Sequence, residues 1–356
     1  MLTTGRERTF AEFARQLPGT LATGLAIAVT TLWTYWGFGE MYHEGWWGAW
    51  TNRLPYLIPG SVCLLLTLLA LAWPTLGGCL IVLLGIAFAT FFGRGVAIIG
   101  VAIVVFGLLF VVAGILARRD GTGTGPGPSA RPWWRRKLTR LLAAGIPLLT
   151  GVGISFYMLP IVLTRVDDGN RSARLIEGNG VALVWAPEGP GWNWKQPWGG
   201  YPSWHSLALY GVPPVGLEAG KPGYGRLEDG YAFATSEDMA ATNLCRYLNA
   251  DGQSLSSEPR DIWRMPTTDE VVRSLVRHGQ NAGCMWDGEV GRQATCAVRP
   301  DKESPLWRTD QPVIYMWTAD ANSKERGAFV SYNGFVNATR KSGGNPRHGY
   351  RCVREP

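Results

Sequence analysis

The sequence predicts an all-α region of five transmembrane helices followed by an α+β domain, and three observations carry that prediction. Five stretches, 19–38, 55–73, 75–93, 95–117 and 138–163, are apolar with no charge in mid-span, near the roughly 20 residues a bilayer crossing takes. Charge is divided unevenly: residues 1–163 hold 12 of the 34 Lys+Arg but 5 of the 27 Asp+Glu, so the whole +7 excess lies there. After Val166-Asp167-Asp168 the composition turns mixed, Trp-rich and loop-rich. Soluble helices of such length carry a polar stripe, which these lack.

The cations set the orientation. Residues 1–18 and the linker 118–137 with the start of the fifth span carry ten Arg and Lys against three carboxylates, whereas Glu40, Glu44, Arg53 and Arg94 cancel in the opposite loops. Positive loops stay in the cytoplasm. The expected order is therefore a cytosolic amino terminus (1–18), a four-span unit (19–117), a basic Gly/Pro-rich cytosolic linker (118–137), a fifth helix (138–163) and an extracytoplasmic domain (164–356), placed in the plasma membrane. Trp46, Trp47, Trp50, Trp133 and Trp134 fall at interface positions. No small-x-small cleavage site follows the first span, only Gly37-Phe-Gly-Glu-Met-Tyr42, so it reads as an uncleaved anchor. Heptad-spaced glycines, Gly78 with Gly85 and Gly107 with Gly114, allow close helix approach. Ionisable groups mark transport pathways inside bilayers; without them the spans read as an anchor or a partner-binding bundle. Basic residues that flank spans, not a folded face, argue against nucleic acid.

In the outer domain the first strand is expected at 180–186. Thr235 with Asp238 three residues on opens a helix over 236–249 bearing Met239, Leu244 and Leu248. Thr267 and Glu270 form a second capping box before the apolar face Val271, Val272, Leu275 and Val276. Strands follow at 313–318 and 328–332, and Asn333-Gly334 is a hairpin turn into Phe335-Val336. A closing strand runs over 349–354. Cys63 and Cys79 lie in spans; Cys245, Cys284, Cys296 and Cys352 lie outside, where disulfides persist and three pairings are open. There is no Cys-x-x-Cys and the chain has four histidines, His43, His205, His278 and His348, so neither a metal nor a cofactor is expected.

Ile262-Trp-Arg-Met-Pro-Thr-Thr-Asp-Glu270 resembles the Trp-Arg-Leu-Pro-Thr-x-x-Glu signature of the Lcl carboxy-terminal domain family. Cys245-Arg-Tyr-Leu248, Tyr315-Met-Trp-Thr318 and Tyr350-Arg-Cys-Val-Arg354 resemble further pieces of that family in the same order, covering about 178–355. The family is similar to the formylglycine-generating sulfatase-modifying enzymes and implies a C-type-lectin-like fold. Its signature positions here are Trp263, Arg264, Pro266, Thr267, Glu270, Trp317 and Arg351. The resemblance implies a Cys245–Cys352 bridge, which leaves Cys284–Cys296. It also raises an enzyme alternative, yet the segment 335–348, where those enzymes carry their reactive cysteines, has none. His205 adjoins Ser206 without a nucleophile-elbow motif. Calcium-dependent sugar binding in the lectin manner uses Glu-Pro-Asn or Gln-Pro-Asp with Trp-Asn-Asp; the nearest sequences are Glu258-Pro259-Arg260 and Gln311-Pro312-Val313.

These readings leave a non-catalytic domain displayed for recognition of an extracellular ligand or protein. Loops on a rigid scaffold carry recognition, and tryptophans anchor sugar and protein contacts. The candidate residues are Trp192, Trp194, Trp198 and Trp204 in the Trp-rich stretch and Asn345 and His348 in the loop 342–348. The competing expectation is that these tryptophans fill the core. The lipid bilayer is a partner, and homo- or hetero-oligomers through the transmembrane helices are a further expectation. A structural component of a membrane assembly is the remaining alternative.

Overall fold

The computed structural model describes residues 3–92, 97–120, 137–192, 202–210, 233–343 and 346–356. It divides into two compact units, Met1–Pro160 and Ile161–Pro356.

The first unit is helical: α1 (Thr3–His43), α2 (Leu54–Ala72), α3 (Pro74–Phe92), α4 (Ala97–Asp120) and most of α5 (Lys137–Leu163). Among the described residues four stretches, Gln16–His43, Trp50–Ala72, Ile98–Ala117 and Lys137–Leu163, are long and apolar enough to cross a membrane, while the apolar run Pro74–Thr90 is shorter. The heptad-spaced glycines face each other between antiparallel neighbours. A Cβ on Gly78 would stand 2.7 Å from the Gly107 carbonyl, one on Gly85 2.9 Å from the Gly100 carbonyl, and one on Gly114 2.8 Å from the Thr75 nitrogen. Backbone therefore rests on backbone between α3 and α4. Between α1 and α2 the buried hydroxyls of Thr30 and Thr67 are hydrogen-bonded at 3.0 Å. Arg140 of α5 donates to the Leu71 carbonyl at 3.3 Å, where the end of α2 leaves carbonyls without helical partners.

The second unit is strand-rich. β1 (Arg174–Gly178), β2 (Val181–Trp185) and β12 (Val353–Arg354) form one sheet in the order β1-β2-β12. A second sheet runs β11-β8-β9-β10-β6, from β11 (His348–Gly349), β8 (Tyr315–Ala321), β9 (Arg326–Ser331), β10 (Phe335–Arg340) and β6 (Arg292–Gln293). Two short ribbons pair β3 (Val276–Arg277) with β4 (Gln280–Asn281) and β5 (Cys284–Met285) with β7 (Thr295–Cys296). The Asn333-Gly334 turn joins β9 and β10 as its residues predict, with Gly334 at φ +90°. The cap at Thr267 is present with both of its reciprocal bonds and opens α8 (Thr268–Arg273). The remaining short helices are α6 (Trp204–Ala208) and α7 (Ser236–Thr242).

Three expectations are corrected. The helix expected over 236–249 stops at Thr242, because Asn243 turns extended (ψ 155°) and its side chain accepts the Cys245 N–H, restarting the chain as a 3-10 turn, Leu244–Tyr247. The closing strand divides: His348–Gly349 runs parallel to β8, and Val353–Arg354 crosses to β2 in the other sheet. The strand β1 lies where no strand is expected, since its alternation is short and β2 alone supplies its partner.

Among the described residues of the second unit, two buried clusters make the interior. One gathers Ile176, Leu183, Val271, Leu275, Trp307, Met316 and Val336 among others. The other gathers Trp204, Leu207, Met239, Leu248, Trp263, Trp317 and Tyr350 around Cys245–Cys352. The segment that follows α5 is bolted to the domain. Arg165 pairs with Asp301 at 2.8 Å, and Arg277 bridges Asp301 at 3.0 Å and Glu303 at 2.8 Å. Arg277 also donates to the Thr164 hydroxyl at 3.0 Å, and the Ser304 N–H to the Val166 carbonyl at 3.0 Å. Thr309 donates to Asp167 at 2.7 Å. Burial works against the Asp167 charge, but bonds from Arg171, Thr309 and the Gly169 N–H hold its carboxyl well below the usual range.

Candidate recognition surface

The seven signature residues knot three segments together. Arg264 donates twice to Glu270, at 2.8 and 2.7 Å, and once to Glu355 at 2.8 Å. Glu270 accepts the Thr267 N–H at 2.8 Å, and the Thr267 hydroxyl accepts the Glu270 N–H at 3.3 Å. The backbones of Arg264 and Val353 exchange bonds of 2.8 and 2.9 Å, and the Pro266 carbonyl accepts the Ala319 N–H at 2.7 Å. The bonds to Glu270 push the Arg264 pKa up. Trp263 lies buried beneath the Arg354 guanidinium, and Trp317 is fully buried. Arg351 is fully buried without a carboxylate: it donates to the carbonyls of Ala186 (2.7 Å), Pro305 (2.7 Å) and Leu306 (3.2 Å). Burial, with Arg174 and Arg171 nearby, depresses its pKa. These contacts account for the signature as fold chemistry.

The described ligand candidates point inward, and this corrects their assignment to a binding surface. Trp192 lies 3.6 Å from the Arg351 guanidinium it covers. Trp204 is fully buried, donates its indole N–H to the Thr318 carbonyl at 2.8 Å, and carries the Lys341 ammonium 4.5 Å above its ring. His348 stacks on Trp317 with centroids 4.5 Å apart and touches Tyr315 and Phe329. Burial lowers its pKa to about 4. Large rings gain by lying inside, where each removes apolar area from water. Trp194, Trp198 and Asn345 lie outside the described residues.

His205 and Ser206 are likewise committed to structure. The His205 Nδ1 accepts the Ala234 N–H at 2.9 Å, and burial followed by Lys341 lowers its pKa to about 4. The Ser206 hydroxyl donates to the Ser203 carbonyl at 3.0 Å and accepts the Ser203 N–H at 2.9 Å as part of a cap. Cys284 and Cys296 are bridged as expected, as are Cys245 and Cys352. Among the described residues no group of three or more His, Cys, Asp or Glu is placed to hold a metal.

What does face outward is the loop that Cys284–Cys296 closes. Its ribbon pairs Met285 with Thr295, and β6 within it hydrogen-bonds to β10 as an edge strand. Gly288 and Gly291 turn the chain at φ +89° each. The Trp286 indole donates to the Glu289 carbonyl at 2.9 Å, and Arg292 pairs with Asp287 and Glu289 at 3.2 and 2.8 Å. Asn179 donates to the Cys284 carbonyl from below. On this loop Met285 is 54% exposed, and just past it Val298 is 52% exposed, apolar side chains held out in water beside the charges of Asp287, Glu289 and Arg292. The sequence carried a signal for this loop, two cysteines enclosing two turn glycines, but nothing that marked Met285 or Val298 as outward. Compared with known proteins, the chain matches no family model, no curated protein and no solved structure.

Proposed function

We propose that the chain is a five-span plasma-membrane protein, amino terminus in the cytoplasm, that displays a non-catalytic C-type-lectin-like domain of Lcl type for recognition outside the cell. The disulfide-closed loop 284–296, with Val298 beside it, is the contact region in this reading. The observation that carries it is the contrast within the outer unit: His205, His348 and Ser206 are engaged in packing and caps, while Met285 on the braced loop and Val298 beside it are held outward. The charge asymmetry of the flanking loops supports the orientation, and in this reading the shorter apolar helix Pro74–Phe92 is taken as the fifth crossing.

The test uses the full chain. Ser323→Cys in intact cells is expected to react with a membrane-impermeant maleimide; labelling only after lysis removes the orientation. Full chain in nanodiscs is then screened on immobilised glycans and envelope proteins. Saturable binding that survives EDTA and is lost in Met285→Asp/Val298→Asp, with unchanged melting, supports the reading. Binding abolished by EDTA, or indifferent to that double variant, overturns it.

A further inference from the structure

Between α1, α2 and α5 lies a cavity of about 160 Å³ whose walls include Trp33, Gly37, Phe38, Tyr56, Leu57 and Gly60. Two glycines shape it by letting α1 and α2 meet. A Cβ on Gly37 would fall 2.4 Å from the Tyr56 carbonyl oxygen, and one on Gly60 3.2 Å from the Thr34 Cα. Pro147 of α5, another wall residue, removes one rung of that helix's hydrogen bonding at this level. The polar groups nearby are engaged: the Thr34 hydroxyl donates to the Thr30 carbonyl at 2.8 Å, and the Tyr56 hydroxyl to Glu44 at 3.3 Å. A water needs two to four polar partners, so the space suits hydrocarbon.

One end of this wall is charged. Arg53 closes the 3-10 turn Trp50–Arg53 just before α2, on the helical stripe Arg53, Leu57, Gly60 and Leu64. Its guanidinium lies 3.8 Å over the Trp46 ring, and its buried Nε meets no acceptor. The carboxylates at this end, Glu40 and Glu44, accept from Trp36 and Tyr56. Trp50 stands 65% exposed beside it, the placement of an interfacial ring. A phosphate oxygen is the acceptor that a guanidinium at headgroup depth fits best.

We infer that the α1/α2/α5 cavity seats one acyl chain of an anionic phospholipid whose phosphate is bound at Arg53. This rests on α1, α2 and α5 crossing the membrane, and not on the recognition reading of the outer unit. Full chain reconstituted in nanodiscs of equal phosphatidylglycerol and phosphatidylcholine is released into mild detergent, and retained lipids are counted by native mass spectrometry. The expected result is one retained phosphatidylglycerol per chain, preferred several-fold over phosphatidylcholine. Arg53→Gln is expected to keep one lipid but lose the preference. Leu64→Trp, which fills the cavity, is expected to lose the lipid with an unchanged helical spectrum; Ser61→Phe serves the same end if Leu64→Trp misfolds. Retention of no lipid by the wild type overturns the inference. So does a preference indifferent to Arg53→Gln, or a filled cavity that retains as much lipid as the wild type.

Discussion

The α3/α4 pair and the second unit are both tightly packed, yet by opposite means. In α3/α4 the contact is made by what is missing: Gly78, Gly85, Gly100 and Gly107 place backbone against backbone. In the second unit it is made by bulk, with Trp185, Trp204, Trp263, Trp307 and Trp317 all buried, and two disulfides across it. The difference follows the solvent. Lipid tails are as apolar as leucine, so helices gain little by hiding large side chains and more by close approach. In water the same large rings gain most by leaving the surface.

The comparison breaks or sharpens under substitution. The largest expected effect is in the second unit: Trp317→Ala should cost about 3–5 kcal/mol, read from the near-ultraviolet melting transition of the full chain. Cys352→Ser should lower the same transition by about 2–5 kcal/mol, because the Cys245–Cys352 bridge spans 107 residues; an unchanged transition would show that the aromatic core alone suffices. In the membrane unit, Gly107→Leu drives a side chain into the Gly78 carbonyl at 2.8 Å, an overpacking expected to cost about 1–3 kcal/mol. Gly145→Leu on α5, where an added Cβ meets nothing within 4 Å, should be neutral in the same detergent-unfolding assay. Equal losses from the two would refute the distinction between packed and lipid-facing glycines.

The smallest effect is one of pH. His205 and His348 each have a folded pKa near 4, below the ordinary 6.5, chiefly through burial. Between those values the unfolded chain takes up protons that the folded one refuses. Stability is therefore intact above about pH 6.5 and falls toward pH 4, at up to about 1.4 kcal/mol per pH unit for each histidine. His348→Phe keeps a ring against Trp317 and should flatten its share of that slope in urea titrations at pH 7 and 5; a slope unchanged in both His348→Phe and His205→Phe would place the titration elsewhere.

The legible parts of the fold were those fixed by neighbours in sequence. Apolar runs, the Thr267/Glu270 cap and the Asn333-Gly334 turn depend on residues within four positions of each other. The illegible parts depend on distant partners. Arg351, Lys302, Lys341 and Glu303 are among the most hydrophilic types yet are all buried. Lys302 donates to the Gln311 carbonyl, and Arg351 to three carbonyls that no spacing rule connects to it. Burial, with Arg165 and Arg347 close by, lowers the Lys302 pKa. The site followed the same logic. Tryptophan density could not say which way the rings faced, and Trp192 and Trp204 turn inward, onto the Arg351 guanidinium and the Thr318 carbonyl.

The fastening of residues 164–168 to the 301–309 segment has a mechanical consequence. A loose tether absorbs a pull by straightening; here Thr164, Arg165 and Val166 are gripped almost as soon as α5 ends at Leu163. Within the second unit a pull on residues 164–166 is therefore met at once by ion pairs and hydrogen bonds to Arg277 and to residues 301–304. Arg277 holds Thr164, Asp301 and Glu303 at once, so the loss of that one side chain would loosen all three.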